Sequence, residues 1–277
     1  MKSILSRIDG ALGGRFAAAE LESVKKALCL EFLGISAVSF FTREQLPSDH
    51  ERDSRLEQAL DRLAQGEPLQ YIIGFTPFCG LQFKVDSRVL IPRPETAELV
   101  EWVAQECESE GRLLDIGTGS GCIAVTLAHK LPGWKVQGWD ISDGALEVAR
   151  DNNRLNGTDV EFQKVDILSE KPCNCGIDVI VSNPPYVLES EKGQIENNVL
   201  DYEPHTALFV PDNDPLLFYR AIAEFGRQTL KADGKLYFEI NPLEASDLKM
   251  MLEQAGYRDI EQRDDIFGKQ RMIKAIL

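Results

Sequence analysis

The sequence predicts an α/β protein, with a mainly parallel sheet covered by helices on both faces and a small helical domain in front of it. Three observations carry this expectation. From residue 111 onward short apolar runs alternate with amphipathic stretches, one of those runs ends in a turn with glycine at every second position, and residues before 67 repeat at helical spacing. A length of 277 residues is enough for two domains, and 43% hydrophobic with 27% charged residues is the composition of a soluble globular protein.

In the first 66 residues Leu21, Val24 and Leu28, then Leu56, Leu60 and Leu63, recur on helical faces. No glycine loop, paired acid or nucleophile motif is present there, so this bundle either positions a partner or caps the larger domain. Residues 67–91 switch to alternation through Phe75, Phe78, Leu81, Phe83 and Val85, broken by Gly74, Pro77 and Gly80, the pattern of a β-hairpin. The expected division is a helical domain over 1–70, a hairpin linker over 71–92 and the α/β domain over 93–277. Pro92-Arg93-Pro94-Glu95-Thr96 opens a helix, with Arg93 and Glu95 placed to pair with each other in solvent.

Arg112 to Ala124 reads as strand, glycine loop and helix start. Gly117-Thr118-Gly119-Ser120-Gly121 lets the backbone pass close under a ligand, and the helix start offers unpaired N–H groups. The spacing is G-x-G-x-G where a dinucleotide site has G-x-G-x-x-G, and Asp115 precedes it. An acid there repels a pyrophosphate but suits a cation such as the sulfonium and amino group of S-adenosylmethionine. Asp140 ends the next strand, where a carboxylate accepts hydrogen bonds from both ribose hydroxyls, and Ser142 or Asp143 caps the helix that follows. After a further strand, Asp166 and Leu168 are candidates to flank an adenine.

The run from Ile177 to Ser182 reads as a buried strand stopped by Pro184 and Pro185, which neither donate to a ladder nor continue it. It delivers Asn183, with Tyr186 beside it, to the carboxyl edge of the sheet, where open α/β sheets bind ligands. The plain alternative is an Asn in a proline turn. Residues 187–215 are polar and without periodicity, a long loop placed to wall a substrate cleft. Thereafter a helix is expected over 216–231, a strand over 235–240, a helix over 243–255 and strands over 258–263 and 271–276.

The net charge is −15, of which residues 1–70 carry −2. A protein that neutralises many phosphates shows a basic balance, so nucleic acid is disfavoured as the main surface bound, and a basic protein is a complementary partner. Cys29, Cys79, Cys107, Cys122, Cys173 and Cys175 form no paired C-x-x-C pattern, and His50, His129 and His205 are dispersed, so reduced thiols and no metal site are expected. The polar first residues and the lack of a long apolar stretch give a cytoplasmic protein without a membrane span as the expectation.

Asp115 to Gly121, Asp140 and Asn183-Pro184-Pro185-Tyr186 together resemble a class I S-adenosylmethionine-dependent methyltransferase acting on a planar amino nitrogen. Gln70-Tyr71-Ile72-Ile73-Gly74, residues 89–96 and Tyr202-Glu203-Pro204-His205-Thr206-Ala207-Leu208 narrow this to a resemblance, over nearly the whole chain, to the HemK or PrmC family, the glutamine methyltransferases of peptide chain release factors. One departure is Ala97, where the family continues its Arg-Pro-Glu-Thr motif with an acid; Glu98 follows directly. The resemblance implies a Rossmann-like domain with a seven-stranded sheet and a helical domain that recognises the release factor. It places S-adenosylmethionine on Gly117, Thr118, Gly119, Ser120, Gly121, Asp140, Leu168 and Asn183. The acceptor is expected on Asn183, Pro184, Pro185 and Tyr186, with Asn183, Pro184 and Tyr186 carrying catalysis and the protein acting as a monomer. Gly268 and Arg271 match a weak family signature of unassigned role.

An amide nitrogen is a poor nucleophile, so orientation matters more than a strong base. The Asn183 side-chain oxygen and the Pro184 carbonyl are suited to accept from the acceptor NH2, with Tyr186 packed on the flat amide. Competing readings are a ribosomal-protein glutamine methyltransferase, an enzyme methylating the exocyclic amine of adenine in DNA or RNA, and a non-catalytic S-adenosylmethionine-binding regulator.

Overall fold

The computed structural model describes residues 2–43, 49–108, 110–170 and 176–277. Cys173 and Cys175, expected as thiols, lie outside the described residues. Contacts divide the chain into two units, Met1–Gly74 with Glu196–Tyr202, and Phe75–Ile195 with Glu203–Leu277.

The first unit holds α1 (Lys2–Leu12), α2 (Ala18–Leu33), α3 (Ala37–Thr42), α4 (His50–Ala64) and α5 (Leu69–Ile73). Val24, Leu28, Leu56, Leu60 and Leu63 are buried together with Ile8 and Leu12, and Leu21 packs against them, as their helical spacing requires. Asp49 starts α4 by accepting from the Glu51 and Arg52 amides, satisfying two donors that the first turn leaves open.

The second unit opens with the antiparallel hairpin β1 (Phe75–Phe78) and β2 (Leu81–Lys84), followed by α6 (Pro94–Glu106), β3 (Gly111–Ile116), α7 (Cys122–Lys130), β4 (Trp134–Asp140), α8 (Asp143–Leu155), β5 (Val160–Lys164), β6 (Ile177–Ser182) and β7 (Val187–Leu188). Asn152 on α8 fastens the hairpin: its side chain accepts from the Lys84 amide at 2.6 Å and donates to the Lys84 carbonyl at 3.0 Å. Next come α9 (Asn197–Tyr202), whose contacts group it with the first unit, then β8 (Phe209–Val210), α10 (Leu217–Thr229), β9 (Leu230–Glu239), α11 (Ala245–Gln254), β10 (Arg258–Asp264) and β11 (Gln270–Ile276).

Seven strands form one sheet in the order β10-β11-β9-β6-β3-β4-β5, parallel except for β11, which runs antiparallel to β9 and β10. The sheet is the mainly parallel, seven-stranded one that the resemblance implied. Alternate residues of its central strands feed opposite cores. Leu113, Val179 and Val181 pack with Leu99 and Val100 of α6 and Ile123 of α7. Leu114, Ile180 and Leu236 pack with Ile222 and Phe225 of α10 and Leu248 of α11.

Residues 187–215 are not the long loop expected from their polarity. They hold β7 paired in parallel with β8, the one-helix segment α9, and 3-10 turns at Glu189–Gln194 and His205–Ala207. Two-residue strands and single helical turns are too short to leave a period in the sequence. β9 likewise starts at Leu230, ahead of the expected residue 235, because its first part pairs with β6 only at Ile177 before a register shift.

Candidate active site

Sheet register assembles the site. Ile116 pairs with Trp139 and with Ser182, and Ser182 pairs with Phe238, so the next residues, Gly117, Asp140, Asn183 and Glu239, form a row across four neighbouring strand ends. Adjacent strands lie about 4.8 Å apart, which places the glycine loop beside Asn183 and Asn183 beside Glu239. The row spans the switch between β3 and β6, where strand order reverses and a crevice opens. On the far side Met272 pairs with Glu239, and the Ile240 amide donates to the Arg271 carbonyl, adding Arg271 to the same edge.

The loop after β3 is hooked onto β4. The Gly117 and Thr118 amides donate to the Trp139 carbonyl at 2.8 and 2.9 Å, and the Gly119 amide donates to Asp140 Oδ2 at 2.8 Å. Gly117 and Gly119 have φ of 74° and 54°, and a Cβ on either would point into open space, the side from which a ligand approaches. Thr118 and Ser120 turn inward and are buried. Thr118 Oγ1 donates to Asp115 Oδ2 at 2.6 Å, so these two residues brace the loop from below and leave its backbone to face the crevice.

Asp115 is fully buried. Its Oδ2 also accepts from the Ala124 amide at 3.2 Å, while Oδ1 has no protein partner, and desolvation pushes its pKa up to about 7. Asp140 is raised too, by burial first, against amide bonds from Ser142, Gly119 and Ile141. Ser142, not Asp140, caps α8, by accepting from the Ala145 amide at 3.2 Å. Beyond β5 the Asp166 carboxylate is taken up by its own turn, accepting from the Leu168 amide at 3.0 Å, and Leu168 is left exposed. Exposed Ile141 follows Asp140 directly, and the Val165 amide donates to the Asp140 carbonyl, which draws the two apolar side chains to one edge. Ile141 was missed by the sequence reading, because nothing local marks an exposed Ile after a strand. An open glycine cradle, a half-buried carboxylate and an orphaned buried acceptor beneath the loop suit an adenosyl ligand carrying positive charge.

On the other side, Ser182 Oγ donates to the Ile116 carbonyl at 2.6 Å and pins the end of β6, so that Asn183 follows a fixed strand. Asn183 Nδ2 donates to Thr96 Oγ1 at 3.2 Å, Thr96 Oγ1 donates to Glu239 Oε2 at 2.6 Å, and the Tyr186 hydroxyl donates to Glu239 Oε1 at 3.1 Å. Burial raises the Glu239 pKa, while the Thr96 and Tyr186 bonds and the Arg271 charge pull it down. Glu239 escaped the sequence reading, and Thr96 entered it only as the last residue of the Arg-Pro-Glu-Thr motif, since the two stand 143 positions apart and neither belongs to the Asn-Pro-Pro-Tyr turn. Asn183, Pro184, Tyr186 and Glu239 line a cavity of about 60 Å³ with Leu90, Arg93, Val187, Ala207 and Leu208. At roughly 10–15 Å³ per water-sized group this is room for a few heavy atoms, such as the end of an amide side chain. A larger cavity, about 260 Å³, lies at the opposite end of the strands beside Trp134, Asp178 and Lys235, away from every residue of the row.

Arg93 does not pair with Glu95. It donates to Glu203, a buried acid that also accepts from the Ile91 amide at 3.1 Å, and so two sequence motifs turn out to be one clasp beside the cavity. Glu98, next to the departure at Ala97, accepts from the Ile266 amide at 3.2 Å and holds the β10–β11 turn. In that turn Asp265 accepts from the Phe267 and Lys269 amides and from Arg271 Nε, and Gly268 has φ of 77°, which gives the weak signature a structural role in aiming Arg271. Cys29, Cys79 and Cys107 are free thiols pushed up to about 11, and Cys122 to about 12, by burial. Among the described residues no three His, Cys, Asp or Glu side chains group as metal ligands, and no helix is long and apolar enough to cross a membrane.

Residues 94–202 match the family model of the methyltransferase small domain, and residues 12–74 that of the PrmC N-terminal domain. A methyltransferase from Pyrococcus furiosus shares the fold, with a TM-score of 0.52 at 17% identity over 82% of this chain and 98% of that one. The fold is that of a class I S-adenosylmethionine-dependent methyltransferase. The chain is 46% identical over 276 residues to the release factor glutamine methyltransferase of Bacteroides thetaiotaomicron, covering 99% of each. It is 42% identical over 279 residues to that of Flavobacterium psychrophilum, covering 99% of this chain and 98% of the relative. Within the class it belongs to the release factor glutamine methyltransferase family.

Proposed function

We propose that this protein transfers a methyl group from S-adenosylmethionine to the side-chain amide nitrogen of the glutamine in the Gly-Gly-Gln motif of peptide chain release factors, modulating translation termination. The observation that carries the reading is the register that sets Asn183, in an amide-sized cavity, directly beside the glycine loop. When bound, S-adenosylmethionine supplies an electrophilic methyl on a positively charged sulfur. Gly117 to Gly121 cradle that ligand with backbone, Asp140 holds its ribose hydroxyls, and Leu168 with Ile141 flanks its adenine.

Asn183 Oδ1 and the Pro184 carbonyl accept from the acceptor NH2 and turn its nitrogen lone pair toward the loop, while Pro185 stiffens the turn and Tyr186 packs on the amide plane. Alignment in a preorganised site supplies the acceleration, and the surplus amide proton passes to water after transfer. Residues 1–70 recognise the release factor, 71–92 link, and 93–277 carry the chemistry. The protein works as a cytoplasmic monomer, and the net charge of −15 disfavours nucleic acid as a partner.

The test is incubation with labelled S-adenosylmethionine and, in parallel, release factor, a Gln→Ala release factor, ribosomal protein and DNA. Label confined to the unaltered release factor is the expected result. Label on DNA, on ribosomal protein alone, or undiminished on the Gln→Ala control overturns the assignment.

A further inference from the structure

We infer that Thr96 and Glu239 are positioning residues that fix which end of the Asn183 side chain faces the acceptor. This rests on the reading that Asn183 holds the acceptor amide. Glu239 is 1% exposed at the end of β9, and its two carboxylate oxygens are occupied by Thr96 and Tyr186. An ionised carboxylate only accepts hydrogen bonds, and a threonine hydroxyl has a single proton to give. Against an ionised Glu239 the Thr96 proton is committed to Oε2, 2.6 Å away. Toward Asn183, Thr96 therefore has only lone pairs.

Asn183 can satisfy that neighbour in one way, by turning Nδ2 to Thr96 and leaving Oδ1 for the cavity. The orientation of an amide side chain is ordinarily chosen from its surroundings, and here proton counting decides it. The inverted amide would bring two oxygens together at Thr96 and would present NH2 to an acceptor that is itself an NH2. Burial raises the Glu239 pKa, and the Thr96 and Tyr186 hydrogen bonds and the Arg271 guanidinium, held by Asp265, act against that; this direction of donation belongs to the pH range in which Glu239 is ionised. Thr96 is 2% exposed and is not among the residues that line the cavity, so in the proposed arrangement it acts on the acceptor through Asn183.

Single-turnover methylation of a release factor by wild type, Thr96→Val, Thr96→Ser, Asn183→Ala and the Thr96→Val/Asn183→Ala double variant tests this, with donor affinity and melting temperature read on each. Thr96→Val is expected to lose about 10-fold in rate with donor affinity unchanged. Thr96→Ser, which keeps the hydroxyl, should return to within about threefold of wild type. The double variant should be no slower than Asn183→Ala alone, because a residue acting only through Asn183 has nothing left to act on. A wild-type rate for Thr96→Val, or losses that multiply in the double variant, overturns the inference, whereas a wild-type rate for Asn183→Ala overturns the site reading beneath it. If Thr96→Val does not fold, a neutron structure of the wild-type protein decides without any variant. A deuteron on Thr96 directed at Glu239 with the Asn183 ND2 facing Thr96 supports the proposal, and the opposite Asn183 orientation ends it.

Discussion

The two halves of the strand-end row are built differently. The loop half is local: Gly119 and Asp140 are 21 positions apart, and the bracing of Asp115 by Thr118 spans three. The amide half is assembled at long range, from Thr96, the Asn183–Tyr186 turn and Glu239 on three separate segments, with separations of 87, 143 and 53 positions between bonded partners. The loop half presents glycine backbone and the Asp140 carboxylate to the crevice, while the amide half depends on the chemical identity and proton count of each side chain. Substitutions in the amide half should therefore reach the rate of transfer, and those in the loop half should reach donor binding.

The largest effect is expected at Asn183. If Asn183 holds the acceptor as proposed, Asn183→Ala removes that partner while the pinned end of β6 and the loop remain, so transfer should fall by about 100-fold or more, the loss of one preorganised transition-state contact. Donor affinity, measured by calorimetry with S-adenosylhomocysteine, should stay within about threefold. Asp140→Ala is the counterpart on the loop half. It should weaken donor binding by roughly 10- to 100-fold, in line with about 1.5–3 kcal/mol for hydrogen bonds to a charged group, with the rate at saturating donor largely retained. A rate defect at Asp140, or a binding defect at Asn183, would erase the distinction between the halves.

The difference also explains what could be read in advance. Gly117, Gly119 and Gly121 mark the loop because positive φ and close approach single out glycine, and Asn183 is marked by the two prolines behind it. Thr96 and Glu239 look like an ordinary first-turn threonine and a strand-end acid; only the pairing of Ser182 with Phe238 puts Glu239 beside Asn183. Arg93 was legible as part of a motif but not as the partner of Glu203, 110 positions away. Sequence periodicity reports which face of an element is buried, and it does not report which residue of a neighbouring strand stands opposite.

Asp115 gives a smaller, pH-dependent test of the loop half. Its folded pKa is raised, to about 7, above the usual carboxylate value of 3.8. Folding is thus favoured while the group is protonated, and stability falls as pH rises from about 4 toward 7, because the folded state then holds a proton that the unfolded state has lost. Between pH 6 and 8 the loss should be on the order of 1 kcal/mol. In Asp115→Asn that part of the slope should vanish from the melting temperature measured against pH; an unchanged slope would show that the carboxyl is not the group responsible.

The smallest effect is expected from Tyr186→Phe, which separates the ring from the hydroxyl. In the proposed reading the ring packs on the acceptor amide, and it stays. The hydroxyl donates to Glu239 Oε1 at 3.1 Å, a longer bond than the 2.6 Å one from Thr96, so Glu239 keeps its stronger partner and Thr96 keeps its direction of donation. The rate should drop about threefold to tenfold, corresponding to roughly 0.5–1.5 kcal/mol for one hydrogen bond. A second consequence has a definite sign. The Tyr186 bond lowers the Glu239 pKa, so removing it raises that pKa and lets Glu239 take up a proton at higher pH than before. A protonated Glu239 no longer demands the Thr96 proton, and the restraint on Asn183 relaxes. The acidic limb of the rate profile should therefore move to higher pH in Tyr186→Phe, while the rate at alkaline pH approaches that of wild type. A uniform loss at every pH would assign the hydroxyl to packing alone, and a loss beyond 100-fold would make it a direct participant in transfer.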